Sequence, residues 1–214
     1  MPTPLTTIPT NNRTRKKTRR EVRARRRTLE RSERRSSERA IVKNLRRMRA
    51  YQRARSVAVY FGIDGEVDLS PIVEHARSSG KSIFAPVLAR NGLRFIEIGS
   101  HRALRRNRFG IPEPGHGKQM DPRRLDVVLT PLVAFDGCGN RLGMGKGYYD
   151  RSFRFLKRRT HWRKPKLVGV GFEFQRTDRL VPQRWDVPLW AAVTNTGIDY
   201  FEDTATNELL ATEI

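Results

Sequence analysis

The chain has 214 residues, a formal net charge of +22 and one cysteine, Cys138. That length suits a single domain, 37% hydrophobic residues are enough for a core, and a lone cysteine excludes an intrachain disulfide. No apolar run reaches the roughly 18 residues of a membrane helix, and the N-terminus has no signal-peptide core, so membrane and disulfide-scaffold classes fall away and a cytoplasmic protein is expected.

Residues 1–12 carry three prolines and four threonines and read as a disordered tail. Residues 13–55 hold twenty Lys/Arg against four Glu, a surplus of 16 that is most of the net charge. Val22 and Leu29, then Ile41, Leu45 and Met48, lay a thin apolar stripe along two helices, giving an Arg-rich N-terminal helical arm. The pattern then changes. SVAVYFG (56–62) reads as a buried strand, and residues 68–80 as a helix with Pro71 in its first turn and Gly80 as its stop. Residues 81–87 and 93–99 read as strands, and 124–135 as the most apolar strand of all. Residues 148–158 read as a helix with Phe153 and Leu156 facing inward, and 166–173 and 191–197 as late strands. Strands alternating with helices predict an α/β fold: a layered, Rossmann-like, largely parallel sheet flanked by helices, over residues 13–200, with a C-terminal tail at 201–214.

Between a buried strand and a helix lies AFDGCGNRLGMGKGYYDRS, with five glycines between Gly137 and Gly147. A strand-to-helix connection in a parallel sheet is the carboxyl edge, where ligands bind. Gly143, Gly145 and Gly147 allow positive φ and open the backbone N–H groups to an anion. Arg141 supplies a planar fork for phosphate oxygens, Lys146 a mobile charge, and the helix start adds its dipole. Asp150 then suits Mg²⁺ held beside phosphates. The loop matches neither the GxxxxGK[ST] nor the GxGxxG pattern, and glycines alone would equally describe a flexible hairpin with solvated charges. Asp136 reads as a turn residue. Trp162, Trp185 and Trp190 read as packing, and the four histidines show no metal spacing.

The run AFDGCGNRLGMGKGYYDR closely resembles the signature of the 5-formyltetrahydrofolate cyclo-ligase family. Residues 51–88, FGIPEP (109–114) and LVPQRWDVPLWAAVT resemble further family segments, so the likeness runs over roughly 14–197. It implies an ATP- and Mg²⁺-dependent ring closure of 5-formyltetrahydrofolate to the 5,10-methenyl form, by phosphorylation of the formyl oxygen and attack of N10. It further implies a monomer. Arg141, Gly143, Met144, Gly145, Lys146, Gly147, Tyr148 and Tyr149 match the family's ATP-binding loop, with Met144 to Tyr148 also touching folate. Asp150 and Asp186 match magnesium positions. An acid often stands four residues beyond the second, where this chain has Trp190. Phe61 and Glu66 match folate contacts, Glu66 as an acceptor for the pterin N–H edge. The family's N-terminal Lys-x-x-x-Arg pair falls on the window Arg15, Lys16, Lys17, Thr18 and Arg19, its lysine position being Arg15, or Lys16 on a one-residue slip.

The charge supports a competing class, a polyanion or nucleic-acid binder using the basic arm. Tyr51 is the only aromatic residue in 13–55, which disfavours base stacking, and no specific nucleic-acid partner is expected.

Overall fold

The computed structural model describes residues 12–99, 104–159 and 164–201. The expected tail at 1–11, the segment containing Trp162, and residues 202–214 lie outside them. Asn12, placed in the tail by its sequence, is the first residue of helix α1 (Asn12–Thr28), followed by α2 (Arg31–Arg47) and a short α3 (Arg49–Arg53). Glu30 separates the two long helices, and its carboxylate caps α2 by accepting from Ser32 N at 2.8 Å and Glu33 N at 3.2 Å.

Then come β1 (Ser56–Ala58), α4 (Ser70–Ser78), β2 (Ser82–Ala89), β3 (Gly92–Glu97), the hairpin β4 (Leu104–Arg106) with β5 (Pro112–Pro114), and β6 (Gln119–Met120). The remaining elements are β7 (Val127–Pro131), the hairpin β8 (Ala134–Phe135) with β9 (Arg141–Leu142), α5 (Tyr148–Phe153), β10 (Lys166–Val170), β11 (Ala191–Val193) and β12 (Ile198–Tyr200). The main sheet has the order β12-β11-β10-β7-β1-β2-β3-β6. Its five central strands pair in parallel; β12 on one side and β3 and β6 on the other are antiparallel.

Burial follows strand alternation. Val57, Val59, Val127, Leu129, Val168 and Val170 face one core, covered by Ile41, Leu45 and Met48 at α2 and Ile72, Val73 and Ala76 of α4. Ala58, Phe84, Phe95, Val128 and Leu167 face the other, under Phe153 of α5 together with Val187 and Leu189. Helices on both faces explain why these strands read as unbroken apolar runs.

Two expected elements take a different form. The strand at 124–135 ends at Pro131; the chain then leaves the sheet for the β8–β9 hairpin. Gly137 and Gly139 therefore belong to the hairpin turn, and only Gly143, Gly145 and Gly147 form the loop before α5. The helix at 148–158 is α-helical only to Phe153 and continues as a 3-10 segment over Arg154–Arg158. Its six α-helical residues give a smaller dipole than a full-length helix.

Candidate active site

A cavity of about 620 Å³ opens at the carboxyl ends of β1 and β7, against β2. That is the size of a site for a small organic ligand. Tyr60 and Phe61 enter it just beyond β1, Pro86 and Leu88 from β2, and Pro131 and Leu132 at the end of β7. The loop 143–147 and the start of α5 through Asp150 form another wall. The segment around β5 adds Asn107, Phe109, Ile111 and Glu113, and the 183–186 turn adds Gln183, Trp185 and Asp186.

Helix α1 crosses this carboxyl edge. Its buried residues are Arg15, Thr18, Val22 and Arg26, a stripe one helical face wide. Val22 anchors it by packing with Val133, Ala134, Leu142 and Leu180. The same face brings Arg15, Arg19 and Arg23 to the cavity. Lys16, Lys17 and Thr18 do not line it. Helical periodicity turns the two lysines to solvent, where Lys17 Nζ lies 3.8 Å from Glu21, and Thr18 is buried with its hydroxyl donating to Thr14 O. The arm is thus packed onto the domain, and part of its charge points inward.

The cationic part of the cavity is tightly connected. Arg19 Nε donates to Gly143 O at 2.8 Å, tying α1 to the glycine loop. Arg15 donates to Val181 O at 2.7 Å and sits 3.8 Å from the Asp186 carboxylate. Burial, and then the neighbouring Arg15, push the Arg19 guanidinium below its ordinary value, with Asp186 opposing. Crowded, partly desolvated cations of this kind favour an anionic ligand between them. Arg141, on β9, is buried; one of its terminal nitrogens donates to Val187 O and the other to Asp150 Oδ1 at 2.7 Å. Val187 N also donates to Asp150 Oδ1, at 3.2 Å. Gly147 caps α5 in the left-handed conformation at φ +63°, and Gly145 sits at φ +91°.

Asp150 and Asp186 suit a magnesium ion held jointly with phosphate oxygens. The hydrogen bonds to Asp150 fall on Oδ1, and Oδ2 of Asp186 accepts from Gln183 N at 2.8 Å. The remaining oxygen of each carboxylate is then the one to meet an ion, and one or two carboxylates is the number such an ion takes. Among the described residues no three acids, histidines or cysteines group as a complete metal site. Trp190 lies away from this wall, packed against the first core and edge-on to Tyr200 at 5.1 Å.

A second polar group lies around Glu66. Its carboxyl is almost fully buried, with Ile63 N donating to Oε2 at 3.2 Å and Arg26 Nη1 3.6 Å from Oε1. Burial pushes this carboxyl up from its usual range and Arg26 is the main group opposing that. Burial likewise raises Tyr149, with Glu66 adding and Arg141 opposing, so this hydroxyl feels both groups. Phe61 lines the cavity beside them while also packing on the first core.

The loop that carries Glu66 is clamped to α1. Arg23 and Arg27 both pair with Asp64, which stands at φ 55°, and Gly65 at φ +74° passes within 3.0 Å of the Arg26 carbonyl, measured from where a Cβ would stand. Gly65→Ala is expected to cost about 1–3 kcal/mol through the left-handed backbone and the forced separation from α1. Thermal unfolding of the variant measures it.

Sequence reasoning missed Arg23, Arg26, Tyr60 and the aromatic rim. Trp185, expected to be packing, is 57% exposed at the cavity, as are Phe109 at 48% and Met144 at 37%. Large exposed apolar side chains gathered round one cavity mark a ligand surface. Asp136 behaves as a turn residue, accepting four hydrogen bonds.

Comparison with known proteins identifies the family that the chain resembles. The model of the 5-formyltetrahydrofolate cyclo-ligase family matches residues 11–195. The chain is 40% identical over 150 residues to the 5-formyltetrahydrofolate cyclo-ligase of Escherichia coli K12, covering 66% of this chain and 78% of that one. It is 34% identical over 146 residues to that of Haemophilus influenzae, covering 65% and 75%. Among solved structures, the 5,10-methenyltetrahydrofolate synthetase of Aquifex aeolicus superposes with a TM-score of 0.76 at 33% identity, covering 88% of this chain and 93% of that one.

Proposed function

The chain belongs to the 5-formyltetrahydrofolate cyclo-ligase family, and on that footing we propose that it closes 5-formyltetrahydrofolate to 5,10-methenyltetrahydrofolate with consumption of ATP. The observation that carries this reading is one cavity holding both a cationic glycine loop and a buried carboxylate, Glu66, among apolar walls. Two substrates that exchange a phosphoryl group must meet in one such space.

In this reading Arg15, Arg19, Arg141 and Lys146 surround the triphosphate, with the N–H groups of 143–147. Asp150 and Asp186 hold Mg²⁺, which when bound offsets phosphate charge. Glu66 accepts from the pterin N–H edge, and Phe61 and Tyr148 pack on the rings. The formyl oxygen attacks the γ-phosphorus and ADP departs. The N10 lone pair then attacks the activated carbon, the ring closes, and phosphate leaves with the former formyl oxygen while N10 loses its proton. The protein contributes positioning and fixed positive charge; these account for much of the rate in phosphoryl transfer. Monomeric action in the cytoplasm belongs to the same reading. Among the described residues no helix is long and apolar enough to cross a membrane.

The test is the growth of methenyl-folate absorbance from 5-formyltetrahydrofolate, ATP and Mg²⁺, run beside Asp150→Ala. ATP-dependent product that the variant fails to form supports the reading; no product from folded wild-type protein overturns it. The window 15–19 gives a sharper expectation. Arg19→Ala is expected to raise KM for ATP about tenfold, the worth of one charge-assisted contact, while Lys16→Ala and Lys17→Ala leave it unchanged. Steady-state kinetics in ATP separates them.

A further inference from the structure

Arg26 is 0% exposed, yet among the described residues Nε and Nη2 have no hydrogen-bond partner, and the hydroxyl of Tyr60, buried beside it, has none either. Nη1 reaches Leu132 O at 3.4 Å and Glu66 Oε1 at 3.6 Å, both longer than a good charge-assisted bond. A buried guanidinium so sparsely satisfied is destabilising, and an apolar side chain of similar size would pack there more favourably. Its presence calls for a role that packing does not supply.

We propose that Arg26 is a positioning residue for the folate substrate: from the buried face of α1 it keeps the Glu66 carboxylate ionised and oriented in the cavity, ready to accept from the pterin N–H groups. The inference rests on the reading of Glu66 as the folate acceptor. Burial alone drives Glu66 toward its protonated form, in which the carboxyl carries a donor facing donors. The charged and titratable groups around Glu66 are Arg26 and Arg23 on α1, Asp64 in its own loop, Tyr60 at the end of β1 and Tyr149 on α5. Arg23 is already engaged with Asp64, and burial keeps both tyrosines neutral, so Arg26 is the decisive cation.

The sign follows. Without Arg26 the Glu66 carboxyl titrates higher, so substrate binding weakens at neutral pH and recovers as pH rises through that raised value. Wild-type cyclisation, measured first, decides whether the functional reading stands; the variants then address Arg26 alone. Arg26→Met is expected to raise KM for 5-formyltetrahydrofolate about tenfold or more near pH 7, with KM for ATP and kcat little changed and KM falling again toward alkaline pH. Arg26→Lys restores most of the affinity, and Glu66→Gln gives a high KM that does not respond to pH. A pH-independent KM equal to wild type in Arg26→Met, or equal losses toward both substrates, overturns the proposal. If Arg26→Met does not fold, the wild-type protein decides. The Glu66 carboxyl ¹³C resonance, assigned by its loss in Glu66→Gln, stays at its ionised position, with its midpoint below neutrality, if the proposal holds. A midpoint at neutral pH or above overturns it.

Discussion

Arg141→Ala is expected to lower kcat/KM for ATP by about two to three orders of magnitude, the range for removing a preorganised cation from a phosphoryl-transfer site. Arg141 is buried, and its two terminal nitrogens bridge Val187 O and Asp150 Oδ1. Alanine removes the positive fork and also frees Asp150 to move, so the phosphate cradle and the carboxylate beside it fail together. Arg141→Lys keeps one charge but cannot span both acceptors, and an intermediate loss follows. KM for the folate moves less in both, because Glu66 and its loop are untouched. Steady-state kinetics in each substrate, with a melting curve to exclude unfolding, makes the comparison. An unchanged kcat/KM for ATP would leave Arg141 a purely structural role.

The largest stability effect is expected at Asp136→Ala. The Asp136 side chain is fully buried in the β8–β9 hairpin. Oδ1 accepts from Cys138 N at 3.0 Å and Asn140 N at 2.9 Å; Oδ2 accepts from Asn140 Nδ2 at 3.0 Å and Leu180 N at 2.8 Å. Alanine strands four donors, one in a buried and three in part-buried bonds, and at about 1 kcal/mol each, the low end for an unsatisfied donor, the loss comes to about 4 kcal/mol. For a domain of this size that lowers Tm by roughly 10 °C. Activity falls as well, since this hairpin carries Arg141. Asp136→Asn keeps an acceptor at one position and loses about half as much.

These two residues differ in how visible they were in the sequence. Arg141 stands in a glycine loop of unusual composition, so its chemistry could be read from its neighbours. Asp136 could be read as a turn residue but not as a buried one, because nothing local shows that Leu180 closes over it. The parallel centre of the sheet was legible from apolar runs of β-branched residues. Its antiparallel edges were not, although the two-residue step from Ala89 to Gly92 is too short for a crossover and already required an antiparallel pair. The break at Pro131 was masked by the apolar residues Leu132 to Phe135, which continue the pattern while packing in other places.

Arg26 shows the limit most plainly. In a stretch of twenty cations every arginine looks like a solvated one, and composition cannot single it out. Spacing could have done so. Arg15, Thr18, Val22 and Arg26 fall three, four and four apart, and Val22 is the one apolar residue that marks which face is buried. The arginines on that face and its flanks, Arg15, Arg19, Arg23, Arg26 and Arg27, link the glycine loop at one end to the Asp64–Glu66 loop at the other. One helix thereby holds together the glycine-loop wall and the Glu66 side of the cavity. Trp185 was hidden for another reason: it follows polar residues in a turn, and only the fold reveals that the turn forms the rim of the cavity.

Transfer of phosphate to the formyl oxygen can be followed with 5-formyltetrahydrofolate labelled with ¹⁸O in the formyl group. Each methenyl product is expected to be accompanied by one inorganic phosphate carrying the label. Methenyl product formed with unlabelled phosphate, the ¹⁸O passing instead to water, would contradict it.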